Sequence, residues 1–128
     1  MRLLVGSAVI VLCLSACDWK TRRQLRYVDV VDKQFDVALP GERVVPRLDD
    51  DHFLTITLID SKLRELPVEA KRQKTLEIAR AAFHAYPARE DLERVSVVYA
   101  IRRSKPGARY SDDDVSDTYR FTVAEVGN

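Results

Sequence analysis

Two acidic runs and two histidines supply the residue types from which a small protein builds a metal or acid–base site. Asp49-Asp50-Asp51-His52 is one run, Asp112-Asp113-Asp114 is the other, and His84 stands apart. A calcium loop spaces its ligands as Asp-x-Asp-x-Asp-Gly with a distal Glu, so that side chains of one turn converge on the ion. Consecutive acids in a loop diverge instead, and neither run carries the glycine or the distal glutamate at that spacing. The first run reads as a turn leading into a strand, and His84 as an exposed helical residue. The sequence has no Gly-x-Ser-x-Gly elbow, no His-Glu-x-x-His pair and no Gly-rich phosphate loop. No catalytic residue and no metal ligand is assigned, and the expectation is a protein that is not an enzyme.

Charge narrows the partners. The 128 residues hold 21 Lys+Arg against 20 Asp+Glu, a formal net charge of +1. A nucleic-acid binder normally shows a strong basic excess, so that class is set aside. The charge is segregated locally, however. Arg102, Arg103, Lys105 and Arg109 precede or flank Pro106-Gly107, and Asp112, Asp113 and Asp114 follow. A basic arm folding back on an acidic arm gives a self-complementary loop, and this loop is the candidate surface for a protein partner.

The most specific pattern lies at the amino terminus. Arg2 precedes an apolar run over residues 3–17, and Asp18 ends it. A helix needs about 20 apolar residues to cross a bilayer, so the run is short for a span and suits a signal-peptide core. Leu14-Ser15-Ala16-Cys17 closes the run: an aliphatic residue, two small residues and a cysteine. This quartet resembles the lipobox of bacterial lipoproteins, and the resemblance covers residues 1–18 alone. It implies removal of residues 1–16 and a diacylglyceryl thioether and an N-acyl chain on Cys17; no cofactor is expected beside that lipid. Asp18 resembles the retention signal of enteric-type lipoproteins, which implies a periplasm-facing domain at the inner rather than the outer membrane. Cys13 would leave with the signal, so no disulfide is available. Trp19 and the basic residues Lys20, Arg22, Arg23 and Arg26 follow, types that favour an anionic lipid interface.

The rest of the chain reads as one domain over residues 26–128, joined to the anchor by a short basic linker at 17–25. Residues 25–39 are rich in Val, Tyr and Phe, and Phe35-Asp36-Val37-Ala38-Leu39 alternates, which predicts a strand ending at Pro40-Gly41. Val44 and Val45 open a return strand that Pro46 confines to an edge or ends. Residues 53–60 predict a strand with Leu54, Ile56 and Leu58 on one face. Residues 67–86 predict an amphipathic helix with Pro67 at its first position and Pro87 beyond its end. Its apolar stripe holds Val68, Thr75, Leu76, Ala79, Ala82, Phe83 and Tyr86, with Lys71 and Arg80 off it. Residues 94–102 and 117–126 alternate as strands, pairing antiparallel with Val97 opposite Phe121. A crossover through the helix makes strands 53–60 and 94–102 parallel. The expected fold is α+β: a two-layer sandwich of one amphipathic helix on a mixed or antiparallel sheet of about four strands. The functional expectation is a non-catalytic envelope lipoprotein that binds an envelope protein. The alternatives are a module for a lipid, peptide or cell-wall fragment, or an anchored inhibitor of the immunity type.

Overall fold

A computed structural model describes residues 2–102 and 115–128, with side chains from Trp19 onward except that of Ser116. The elements run α1 (Arg2–Ala38), β1 (Arg43–Asp49), β2 (Phe53–Ile59), α2 (Val68–Ala85), β3 (Arg94–Ala100), β4 (Val115–Thr122) and α3 (Val123–Val126). The four strands form one mixed sheet in the order β1-β2-β3-β4. β1–β2 and β3–β4 are antiparallel, and β2–β3 is parallel across the α2 crossover. The chain is an α+β domain, as the patterning indicates.

One sheet face carries the core. Leu54, Ile56 and Leu58 of β2 and Val95, Val97 and Tyr99 of β3 are at most 1% exposed. Ile78, Ala79, Ala82 and Phe83 of α2 pack over them, and Val126 of α3 joins the same cluster. Two alanines on the buried stripe of α2 let its backbone approach the sheet closely.

Residues 25–38 are helical, not a strand, and they add a second helix to the layer. Tyr27, Val31, Phe35 and Leu39 recur every fourth residue, which puts them on one helical face. Val31 and Phe35 are buried in the core, and Tyr27 and Leu39 pack at its margin. The alternation at 35–39 is incidental, since Val37 is 80% exposed. Pro40 restricts the residue before it, and Gly41, at φ +83°, takes the left-handed turn from α1 into β1. The helix also runs through residues 17–25, so the segment read as a linker is continuous with the domain.

Three further readings change. β4 stops at Thr122, because Thr122 and Glu125 form a reciprocal capping box that starts α3. Val97 lies opposite Tyr119, and Val95 opposite Phe121. A slip of two keeps every side chain on its expected face. Pro67 is the N-cap of α2 rather than its first turn, and Val68 is 78% exposed. Pro46 sits within β1 opposite Ile56, on an edge strand as its missing N–H requires.

Candidate functional site

The candidate residues fall at two ends of the sheet. At the first, α1 meets the β1–β2 hairpin. Asp50 (φ 51°) and Asp51 (φ 64°) are both left-handed, the requirement of a tight hairpin turn, and the His52 amide donates to the Asp49 carbonyl at 3.2 Å. The Asp51 carboxylate receives Lys20 at 2.9 Å and the amide of Gln24. These hydrogen bonds hold the Asp51 carboxyl below its ordinary value. Asp49 instead pairs with Arg47 at 3.1 Å and accepts from Thr55. The acids of the run thus diverge. Among the described residues, no three His, Cys, Asp or Glu side chains group as a metal site.

A cleft of about 430 Å³ opens between α1, the hairpin tip and the turn after α2. Lys20 and Arg23 line it from α1, Asp51 and His52 from the tip, and Glu90 and Asp91 from the turn. Tyr27 and Tyr86 form its aromatic wall, ring edge to ring face at 5.6 Å. Burial and nearby Asp91 push the Tyr86 phenol above its ordinary value. His52 Nδ1 lies 2.9 Å from the Asp91 carbonyl oxygen, which can only accept, so Nδ1 carries the proton. Among the described residues, no serine, threonine or cysteine lines the cleft. Its described lining presents charged and aromatic groups to anything that enters.

Residues 19–24 bring this end close to the candidate anchor. Trp19 is 64% exposed, and the Arg23 guanidinium stands 4.8 Å from its ring centre. Cys17 lies on the same helix, seven residues or about 10 Å of rise before Gln24. The side chains of Cys17 and Asp18 lie outside the described residues. Among the described residues, no helix is long and apolar enough to cross a membrane.

The second end lies one strand length away, about 20 Å at ~3.3 Å per residue. β2 and β3 both run towards it, and it is where the 101–114 connection leaves the sheet. Asp60, at φ 50°, donates its amide to Ala100 and accepts the Arg102 amide on its carboxylate, both at 2.9 Å. Arg102 is exposed there. Arg103, Lys105, Arg109, Asp112, Asp113 and Asp114 lie outside the described residues.

A buried polar cluster underlies this end, and the sequence reading missed it. Lys71 is 8% exposed, and its ammonium pairs with Asp117 and faces the Tyr99 ring at 4.7 Å. Thr75 donates to the Lys71 carbonyl at 2.6 Å, so the Tyr99 hydroxyl, 2.7 Å away, donates to Thr75. Burial raises the Tyr99 phenol above its ordinary value, against the lowering effect of the Thr75 hydrogen bond. The available signal was spacing. Lys71 stands four residues before Thr75 and eight before Ala79, on the buried stripe. Comparison of the chain with protein-family models, curated proteins and solved structures finds no match.

Proposed function

We propose that this chain is a non-catalytic envelope lipoprotein. Cys17 carries the lipid, Asp18 retains the protein at the inner membrane, and the α+β domain is presented to a periplasmic protein partner. The observation that carries the reading is the placement of the two ends. α1 continues unbroken from the Cys17 position into the core at Val31 and Phe35, so lipid attachment would fix the domain's orientation. The hairpin tip and Trp19 then lie beside the bilayer. Arg102 lies at the opposite end, exposed and open to a partner.

Photocrosslinkers placed at Trp19 and at Arg102 test this arrangement in intact cells. The expected result is phospholipid capture from position 19 and capture of one protein species from position 102. Phospholipid capture from position 102, or none from 19, refutes the orientation. The cleft favours a second reading, in which a small zwitterionic ligand such as a peptide end binds between Lys20 or Arg23 and Glu90 or Asp91. Exchange of charge at Glu90 with no change in any bound ligand counts against it.

A further inference from the structure

The sheet has a second face that no described helix covers. Every described helix sends its buried residues to the core on the other side. Strand alternation places Arg43, Val45, Arg47 and Asp49 of β1 on this face, with Phe53, Thr55, Thr57 and the buried Ile59 of β2. Arg94, Ser96, Val98 and the buried Ala100 of β3 and Thr118, Arg120 and Thr122 of β4 complete it. Among the described residues, four arginines therefore share this face with a single carboxylate, Asp49, which Arg47 already engages at 3.1 Å.

Arg94 and Arg120 are the informative pair. Arg94 lies opposite Thr122 and Arg120 opposite Ser96, so the two arginines are diagonal neighbours on adjacent strands. That relation spaces residues about 7–8 Å apart, close enough for like charges to repel and for one anion to bridge them. Among the described residues, no carboxylate pairs with either. The Arg94 guanidinium lies 4.7 Å from the Phe53 ring centre, which fixes the fork against the sheet. Its Nε is buried with no hydrogen-bond partner. A buried donor left unmade costs free energy that an arriving acceptor recovers.

We infer that this face docks an acidic segment of a partner protein, with one carboxylate held by Arg94 and Arg120. Arginine forks match carboxylates bidentately, and arginine beside an aromatic ring is typical of protein interfaces. The Ser96 hydroxyl, opposite Arg120, and the Thr118 hydroxyl beside it supply further donors. A nucleic-acid strand fits less well, since among the described residues Phe53 is the one ring on the face for base stacking. The inference rests on the partner-binding half of the proposed function and not on the Cys17 anchor.

The test is a titration of the full chain in detergent micelles with hexaglutamate, followed by backbone amide shifts. Shifts should map to Thr55, Arg94, Ser96 and Arg120, and Arg94→Gln/Arg120→Gln should weaken binding at least tenfold. Arg120→Lys should lose less, because charge remains while the fork is gone. Asp49→Asn should tighten binding, a gain that a merely structural role does not produce. Lys33→Gln on α1 serves as the control and should change nothing. Absent binding, equal binding by the double variant, or shifts confined to Arg102 and its neighbours overturns the inference. So does tighter binding of a hexathymidylate strand than of hexaglutamate. None of these outcomes bears on lipid attachment, which palmitate labelling reads separately.

Discussion

Removing either partner of the Lys71–Asp117 pair should have unequal consequences. The Lys71 side chain is 9% exposed and that of Asp117 is 44% exposed. Asp117→Asn leaves an ammonium inside the domain without its counter-charge. Breaking a fully buried pair costs roughly 3–5 kcal/mol, whereas a surface pair contributes about 0–1 kcal/mol. Asp117 is half in water, and the Tyr99 ring still faces the ammonium at 4.7 Å. The loss should fall between those limits, at about 1–3 kcal/mol. Lys71→Met keeps the packing of the stem and leaves Asp117 free to take up water, so its cost should stay within about 1 kcal/mol. The assay is urea unfolding followed by circular dichroism. With a slope of ~1–3 kcal/mol per molar urea, Asp117→Asn should lower the midpoint by about 1 M and Lys71→Met by far less. Lys71→Met/Asp117→Asn should be more stable than Asp117→Asn alone. Equal losses, or a larger loss for Lys71→Met, would refute the argument from asymmetric burial.

Phe35→Ala should cost about 3–5 kcal/mol in the same assay, because α1 supplies core rather than linker; a loss under 1 kcal/mol would contradict that docking. Tyr86 and Tyr99 are both raised by burial, so each favours its protonated form in the fold more than in the open chain. That stability is present below the ordinary tyrosine value of 10.0 and is lost as pH rises through the higher folded values. Ultraviolet titration should show a late-ionising phase that Tyr86→Phe and Tyr99→Phe each reduce. Asp51 has the opposite sign: its carboxyl is lowered by Lys20 and Gln24, so its contribution is present above 3.8 and fades as pH falls through the lower folded value. Lys20→Met should reduce that acid-side dependence, leaving the part Gln24 supplies, and an unchanged acid limb in stability against pH would show the Lys20 pair to be absent in solution.

The strand and helix periods of residues 53–102 are plain in the sequence because each element there has one face in the core. β2 alternates cleanly, and α2 is bounded by Pro67 and Pro87. The carboxyl half of α1 was misread because its Val and Tyr content suits a strand. The deciding signal, one apolar residue in every four, extends from Tyr27 to Leu39 and exceeds the five-residue alternation inside it. Intrinsic β preference yields there to the tertiary contacts of Val31 and Phe35. Lys71 was misplaced because lysine is assigned to solvent by type. Only the register of β4, which brings Asp117 opposite Tyr99, supplies the counter-charge that lets it be buried. The Arg94–Arg120 diagonal likewise depends on strand pairing across a long connection, which no local pattern encodes.

Lipid attachment at Cys17 carries the account, and metabolic labelling of the full-length chain with palmitate tests it most directly. The wild-type protein should take up label and lose residues 1–16, while Cys17→Ala should stay unlabelled and keep its signal segment. Label retained in Cys17→Ala, or processing unchanged by the substitution, would contradict the account.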